Sequence, residues 1–210
     1  RKRLADGCIR LLIDRTAEEQ QTEEGRRYME YWSGSRRILY APCSDQDLYL
    51  ALTMLNDDRE AKAVPIRKDT WKRSFPHLEG LIGRIGDQGR WDPFELIKLK
   101  RWSVGRVAII GDAANALPPN LGQGGGCAMM NALALAVAHD KNSDMGAALG
   151  LWERRERPLT EHTQRISMLY GLPTNWPPRF RALAYGIAGR SKWLVKQRMK
   201  TANHVPTGTE

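Results

Sequence analysis

The sequence lacks any long hydrophobic run. Of its 210 residues 41% are hydrophobic, yet no apolar stretch reaches the ~20 residues that a membrane-spanning helix needs. Its N-terminus, RKRLADG, has no initiating Met and is not followed by the apolar segment of a secretory signal. We therefore expect a soluble, cytoplasmic protein with one domain-sized core.

Cysteine is scarce and scattered. Cys8, Cys43 and Cys127 show neither a CxxC pair nor the Cys and His spacing of a zinc site. We expect no disulfide framework, no metal site and buried, reduced thiols. The formal net charge of +9 is compatible with an acidic partner, but it carries little weight in a chain that looks like part of a longer protein.

The first hundred residues favour antiparallel sheet. Three short segments rich in Ile, Leu and Tyr predict strands, and the last two are joined through Ser44-Asp45-Gln46 as in a hairpin. They read CIRLLID, RRILYAPC and DLYLALTM. Residues 65–82 predict a short surface helix that stops near Pro76, and FELIKLKRW alternates apolar and charged residues as a half-buried strand does.

The remainder predicts a strand, a buried helix and a helical tail. The continuous apolar run Val107–Ile110 predicts a strand buried on both faces. CAMMNALALAVA is apolar almost all round and therefore predicts a buried helix. From about Asp140 the chain has helical periodicity, then a proline-interrupted stretch that leads to another basic helix.

Between that strand and that helix lies a segment crowded with glycine and proline, GDAANALPPNLGQGGG. The backbone amides of Gly122–Gly126 fall in the first helical turn, where they have no intrahelical partner, and the helix dipole is positive there. Such a site suits an anion, and glycine lets a flat or phosphorylated ligand approach the main chain. Asp112 can accept hydrogen bonds from ligand hydroxyls. A tight turn without a ligand is the alternative interpretation, since Cys127 stands at the third position of GxGxxG.

GDAANALPPNLGQGGGCAMMNALALA resembles the second FAD motif of the single-component (class A) FAD-dependent aromatic monooxygenases. The similarity extends to DGCIRLLIDR, RRILYAPCSDQDLYLALTM, VPIRKDTWKRSFPHLE and LWERRERPLT, and it covers most of residues 6–165. Together these segments resemble the 2-methyl-3-hydroxypyridine-5-carboxylate oxygenase branch, whose members open a pyridine ring. Asn131, where most hydroxylases have Asp, supports that branch, whereas Asn115 replaces the His of many relatives and puts one contact near the flavin in doubt.

The resemblance implies an α/β fold, the C-terminal portion of an FAD/NAD(P)-binding doubly wound fold with an antiparallel-sheet substrate domain. The N-terminal GxGxxG βαβ unit of that family, which binds the ADP half of FAD, is absent from this chain. Residues 1–100 would then form a partial substrate-binding sheet domain, residues 101–140 the FAD-binding segment with its Gly-Asp motif, and residues 141–210 the C-terminal helices.

The resemblance also implies site residues. Asp112 would bind the ribitol of FAD, glycine-loop amides would face the pyrimidine end of the isoalloxazine, and Pro119 would face its C4a side. Arg37 and Tyr49 would hold ring substituents of the substrate, with Arg10 near flavin and substrate. The implied cofactor-binding residues are Gly111, Asp112, Pro119, Leu121, Gly122, Gln123, Gly124, Gly125 and Gly126.

Without the resemblance, these polar residues have ordinary interpretations. Arg37 is one of many arginines in a basic chain, Tyr49 is a sheet-packing aromatic residue, and Arg10 is a surface charge on a strand. We assign no role to any histidine, His139 included.

The reaction that the resemblance implies is hydroxylation, with or without ring opening, of a hydroxylated aromatic or pyridine carboxylate. NADH or NADPH would reduce FAD, and O2 would then give an FAD C4a-hydroperoxide. The expected partners are this small aromatic substrate, O2 and the missing N-terminal half of the same protein, and a homo-oligomer is left open. No metal is required.

Two alternatives remain. A salicylate-type or hydroxynicotinate-type aromatic hydroxylase would share the flavin motif and differ in its substrate pocket. A basic nucleic-acid or membrane-surface module is the non-enzymatic alternative, because RFRALAYGIAGRSKWLVKQRMK mixes Arg and Lys with Trp and Tyr. A basic amphipathic tail is usually a solvated face, so we predict no nucleic acid and no membrane partner.

Overall fold

The computed structural model describes residues 1–209 and divides the chain into two compact units. The first unit is Leu4–Phe94, and the second comprises Arg1–Arg3 with the chain from Glu95 onward. The mixture of helices with an antiparallel sheet agrees with the predicted fold class. The three functional segments that the sequence suggested remain predictions.

An antiparallel sheet dominates the first unit. Its strands are β1 (Lys2–Asp14), β2 (Met29–Ser33), β3 (Arg36–Pro42), β4 (Asp47–Leu55) and β5 (Trp91–Leu96). These five strands have the order β2-β3-β4-β1-β5 in the sheet. The hairpin predicted across Ser44-Asp45-Gln46 is confirmed, because β3 and β4 pair directly on either side of that turn.

One face of this sheet forms the core of the first unit. Side chains alternate across a strand, so Ile9, Leu50 and Leu52 share a face, where they pack with Trp71 and Phe75. Three short helices accompany the sheet: α1 (Ala17–Gln21), α2 (Lys68–Ser74) and α3 (Glu79–Gly83).

Helix α2 ends before Pro76, as predicted, but its description as a surface helix is incomplete. Trp71 on this helix and Phe75 just after it are both fully buried, because their rings supply much of the apolar surface that covers the sheet. Losing either ring would remove core packing of the kind that costs ~3–5 kcal/mol in unfolding free energy.

The second unit is mainly helical. The long helix predicted after Asp140 is confirmed as α6, and Asp144 caps it by accepting a hydrogen bond from the Gly146 amide. The basic tail forms two helices, since Ser191 begins a new one by capping Leu194. The elements are β6 (Ser103–Val104), β7 (Val107–Ala108), α4 (Asp112–Asn115), α5 (Gly124–Asp140), α6 (Met145–Gly171), α7 (Pro178–Arg190) and α8 (Lys192–Met199).

The prediction of a strand buried on both faces at Val107–Ile110 is wrong. Only β7 is extended, and it pairs with the two-residue β6 across Gly105, which has a φ of +60°. Val107 is 67% exposed, Ile109 42% and Ile110 44%. A hairpin of two residues per strand offers too little surface to cover a strand on both sides.

The alternating segment FELIKLKRW also departs from its prediction, because the strand stops at Leu96. The next residue, Ile97, donates its backbone N–H to the carbonyl of Ala116 at 3.1 Å instead of continuing the sheet. This hydrogen bond ties the chain after β5 to the loop that follows α4.

Helix α5 is buried on one side only, contrary to the prediction from its apolar composition. Cys127, Asn131, Ala134 and Ala138 are buried, where α5 packs against α6. The Asn131 carbonyl accepts a hydrogen bond from Trp152 Nε1 at 2.8 Å. On the other side, Met129 is 71% exposed, since no element of the described residues lies over it.

Two further expectations can be compared with the structure. Cys8 and Cys127 are buried, but Cys43 is exposed because it lies in the turn before β4, so the expectation of buried thiols is wrong there. Within residues 1–209, no helix has both the length and the apolar composition needed to cross a membrane.

Candidate functional site

The segment from Gly111 to Gly126, here called the glycine-proline loop, begins with a sharp change of direction. Gly111 has a φ of +64°, a conformation that glycine adopts without the steric cost that a side chain brings. Its carbonyl accepts the amides of Ala114 and Asn115, which starts α4. As a result the Asp112 side chain is exposed at the first position of a helical turn.

The middle of the loop is stiffened by its prolines. Pro118 is buried, whereas Pro119 is exposed and opens a single 3-10 turn that ends at Leu121. Gly122 closes this turn with a φ of +65°, again in the left-handed region. The loop therefore presents Pro119 on its outer side in a fixed backbone conformation.

The start of α5 leaves backbone donors without helical partners. The first intrahelical hydrogen bond runs from the Cys127 amide to the Gln123 carbonyl at 3.0 Å. The amides of Gly124, Gly125 and Gly126 thus have no intrahelical acceptor. Gln123, the capping residue, makes no side-chain cap, so these donors and the helix dipole are available to an anionic or polar ligand.

Packing inside the second unit does not explain why Gly125 and Gly126 are glycines. A Cβ atom built on either would meet no described atom within 4 Å, and neither residue has a positive φ. Helix propensity would favour alanine at such positions. Their lack of a side chain leaves room for a ligand to lie against the backbone.

Asn115 adds a donor to the same region. With Asp112, Gly124 and Cys127 it lines a narrow cleft of about 10 Å³, so the two ends of the glycine-proline loop meet there. Asn115 is 5% exposed, and its buried Nδ2 atom has no hydrogen-bond partner among residues 1–209. A buried amide donor without an acceptor costs ~1–3 kcal/mol, a cost that a bound acceptor would remove.

A larger groove of about 600 Å³ runs beside the start of α5. Gly122, Gln123 and Gly126 line it together with Met129 and Leu133. Its volume lies within the usual range for sites of small ligands and cofactors. The apolar methionine and leucine side chains make one wall of this groove suitable for a flat aromatic surface.

The three polar residues singled out in the first unit share one face of its sheet. In the strand register, Arg10 lies opposite Ala51, Tyr49 lies opposite Ala41, and Arg37 lies opposite Thr53. Alternation places all of them on the face opposite the apolar core, here called the polar sheet face.

Arg10 and Tyr49 are neighbours on this face. The Arg10 guanidinium acts to lower the pKa of Tyr49 and lies 3.5 Å from a carboxylate oxygen of Asp92. Burial raises the pKa of Tyr49, and Arg10 opposes that effect only in part. Tyr49 is therefore a neutral phenol at neutral pH, able to donate one hydrogen bond to a substrate.

Arg37 is almost fully removed from solvent, at 6% exposure. Its guanidinium carbon lies 5.0 Å from the centre of the Trp32 ring, a cation–π contact, and Nη1 lies 3.8 Å from Glu30. Such a stacked, paired guanidinium is held in one orientation, which suits recognition of a planar or anionic group.

Sequence reasoning missed the acidic and thiol neighbours of these arginines. Burial raises the pKa of Cys8 to about 11 and also raises that of Asp6, although Arg37 acts in the opposite direction on both. Strand alternation could have found them, because Asp6, Cys8 and Arg10 follow one another at every second position of β1.

The predicted residues thus form two sets. Arg10, Arg37 and Tyr49 lie together on the polar sheet face of the first unit. The predicted cofactor residues, Pro119 among them, lie together on the glycine-proline loop of the second unit. Their roles remain predictions.

Comparison with known proteins gives a consistent family. The profile of the family described as "FAD binding domain" matches residues 41–139. A putative 2-heptyl-3-hydroxy-4(1H)-quinolone synthase of Rhodococcus erythropolis is 45% identical over 99% of this chain and 55% of its own length. A 2-heptyl-3-hydroxy-4(1H)-quinolone synthase of Mycobacteroides abscessus is 37% identical over 94% of this chain and 55% of its own length.

Solved structures of flavin-dependent oxygenases resemble this chain as well. The tetrameric form of 2-methyl-3-hydroxypyridine-5-carboxylic acid oxygenase superposes with a TM-score of 0.79 and 32% identity, covering 98% of this chain and 53% of that one. Klebsiella pneumoniae HpxO complexed with FAD and uric acid, 20% identical with a TM-score of 0.68 over 98% of this chain and 51% of that one, shares the fold. The chain spans about half the length of the curated relatives it matches.

Proposed function

Because this chain belongs to the family of FAD-dependent aromatic monooxygenases, we propose that its complete protein hydroxylates an N-heteroaromatic ring. The balanced reaction takes one O2, one NADH or NADPH and one proton. It returns the hydroxylated ring, oxidised nicotinamide and one water. When bound, FAD supplies the electron transfer and the activation of O2.

The residues of the glycine-proline loop fit FAD. The unpartnered Asn115 Nδ2 atom, the free amides of Gly124–Gly126 and the uncrowded glycines each fit a polar ligand that lies against the backbone. In this proposal Asp112 accepts hydrogen bonds from the ribitol, and Leu121–Gly126 border the ring system. Pro119, with no N–H to offer, would form an apolar wall beside the bound ring system.

The start of α5 would stabilise negative charge on a bound cofactor. A helix N-terminus favours an anion by ~0.3–1 kcal/mol at an exposed site and by more where water is excluded. Three amides without competing intrahelical acceptors are already oriented for this task. Such preorganised donors need no rearrangement as charge develops.

The first candidate substrate is a 2-alkyl-4(1H)-quinolone. What supports it is the extent of likeness to relatives named 2-heptyl-3-hydroxy-4(1H)-quinolone synthases, which spans 94% or more of the chain. In such a ring the nitrogen donates electron density through the double bond toward the carbonyl. Carbon 3 is therefore nucleophilic enough to accept an electrophilic oxygen atom.

The second candidate is a 3-hydroxypyridine carboxylate, in which one water molecule adds to the oxygenated ring and opens it, so that no net water is released. Two guanidinium groups on the polar sheet face, those of Arg10 and Arg37, favour an acidic substrate, because arginine binds carboxylates through paired, charge-assisted hydrogen bonds. In either case Arg37 and Tyr49 orient the ring by binding its oxygen substituents.

The test uses the complete gene product loaded with FAD. NADH or NADPH oxidation, O2 uptake and peroxide release are measured with 2-heptyl-4(1H)-quinolone, with 2-methyl-3-hydroxypyridine-5-carboxylate and with no substrate. We expect the quinolone to stimulate turnover with little peroxide and to give a product one oxygen atom heavier. Coupled turnover with the pyridine acid alone would overturn the first candidate in favour of the second, and failure to retain FAD would overturn both.

A further inference from the structure

Helix α6 carries two buried polar side chains where it passes the glycine-proline loop. Gln164 is 4% exposed and Ser167 is fully buried. One turn of helix separates them, so both lie on the same face of α6. Burying an apolar side chain at such a position would cost less free energy than burying a polar one. The hydrogen-bond partners of these two groups therefore need to be identified.

Both side chains donate to main-chain carbonyls around the loop. The Gln164 Nε2 atom donates to the Ile97 carbonyl at 2.8 Å and to the Ala116 carbonyl at 2.9 Å. The Ser167 hydroxyl donates to the Pro118 carbonyl at 2.5 Å. In the reverse direction, the Asn120 side-chain amide donates to the Ser167 carbonyl at 3.0 Å.

These contacts replace the hydrogen bonds that the loop cannot make for itself. Pro118 and Pro119 have no N–H group, and the loop pairs with no strand through residues 116–119. Buried carbonyls need donors. Helix α6 provides a second donor to the Ala116 carbonyl, which also accepts the Ile97 amide, and a hydroxyl donor to the Pro118 carbonyl. The position of Pro119 is thereby fixed relative to a 27-residue helix.

We propose that Gln164 and Ser167 are positioning residues for the flavin site. They act through the loop backbone, holding residues 116–119 so that Pro119 and the start of α5 keep a fixed spacing toward the cofactor. This inference rests on the proposed function, in which the loop borders FAD. It assigns to α6 control over flavin affinity and over how tightly NAD(P)H oxidation is coupled to substrate oxygenation.

The test compares Gln164→Met and Ser167→Ala with Arg165→Met in the complete FAD-dependent protein. Methionine approximates the length of glutamine without its donors, while Arg165 is an exposed neighbour on the same helix. The readouts are the FAD dissociation constant from flavin fluorescence and the visible spectrum of bound flavin at saturating FAD. A third readout is the fraction of NADH oxidation that releases peroxide when substrate is present. The melting temperature of the apoprotein is measured in parallel.

We expect Gln164→Met to weaken FAD binding about three- to tenfold, the effect of one or two lost hydrogen bonds. The flavin spectrum should shift and the peroxide fraction should rise even at saturating FAD, while Arg165→Met should change neither. A lower apoprotein melting temperature with unchanged spectrum and peroxide fraction would show a merely structural role and overturn the proposal. If Gln164→Met does not fold, the same readouts on Ser167→Ala, which removes a single oxygen atom, decide the matter.

Failure of this proposal is distinguishable from failure of the proposed function. A wild-type protein that does not bind FAD would overturn the proposed function. A wild-type protein that binds FAD and couples normally, with variants that match it in all flavin readouts, would overturn only the role of Gln164 and Ser167.

Discussion

At the scale of single residues, Arg37 combines near-complete burial with a stacking partner, Trp32, and an acidic neighbour, Glu30. Burying a cation is costly unless neighbouring groups compensate for its lost hydration. Stability alone could be served by an apolar residue at this strand position. In the proposed function this guanidinium also recognises a substrate oxygen.

The first residue-scale prediction concerns Arg37→Ala in the complete enzyme. If the guanidinium binds a substrate oxygen, as proposed, its removal should raise KM at least tenfold or increase the peroxide fraction, at a cost of ~1.5–3 kcal/mol in binding. Steady-state kinetics that follow NADH oxidation, O2 uptake and peroxide release measure both quantities. Arg37→Lys keeps the charge and should recover part of the loss.

The control for this prediction is Arg73→Ala. Arg73 lies on α2, its side chain is 66% exposed, and it pairs with Glu60. Its kinetics should equal those of the wild type. Unchanged substrate affinity and coupling in Arg37→Ala would remove Arg37 from the substrate site and leave it a structural role.

The sequence predicted which residues are candidates for the site, but it did not predict the side chains that contact them. Resemblance supplied Arg10, Arg37 and Tyr49, and strand alternation placed them on a common face. Trp32 lies in β2, a strand that the sequence analysis did not predict, so the stacking contact with Arg37 was not foreseeable. Side-chain hydrogen bonds from Gln164 to backbone 48 and 67 residues away leave no local signal.

At the scale of elements, the long helix α6 and the β3–β4 hairpin agree with the sequence, because each is decided by periodicity and by local caps or turns. The strand predicted at Val107–Ile110 and the all-round burial of α5 failed for a different reason. Composition reports how apolar an element is, but its burial depends on neighbours. Among the described residues, α6 and Trp102 cover one side of α5 and leave Met129 exposed.

The element-scale prediction separates two kinds of glycine in the glycine-proline loop. Gly125→Ala should leave the apoprotein as stable as the wild type or slightly more stable, since alanine is the better helix former and meets no neighbour within 4 Å. The same variant should bind FAD at least tenfold more weakly, because its methyl group would occupy the space of the ligand. Thermal unfolding of the apoprotein and fluorescence titration with FAD measure the two effects.

Gly122→Ala is the matched comparison. Gly122 has a φ of +65°, so a Cβ there costs ~1–2 kcal/mol whether or not FAD is present. We expect the melting temperature of the Gly122→Ala apoprotein to be lower than that of the wild type. The melting temperature of the Gly125→Ala apoprotein should not be lowered. Wild-type FAD affinity in Gly125→Ala would argue that the start of α5 does not contact the cofactor.

At the scale of the whole molecule, the uncovered apolar surface and the length of the relatives point in one direction. Val107, Ile109 and Ile110 expose between 42% and 67% of their surface. The chain spans 55% of the length of the quinolone synthases it matches. We propose that, in the complete protein, the portion outside this chain packs on β7.

The whole-molecule prediction follows from that arrangement. In the complete protein, Val107→Asp should lower the free energy of unfolding by ~1.5–3 kcal/mol, the value of a buried valine, with a further loss from burying an unpaired carboxylate. Arg106→Asp, its exposed neighbour on the same hairpin, should change it by less than ~0.5 kcal/mol. Denaturant unfolding of both variants gives the comparison. Equal effects would mean that Val107 stays in solvent and that the rest of the protein docks elsewhere, whereas the expected difference would show that Val107 is buried in the complete protein.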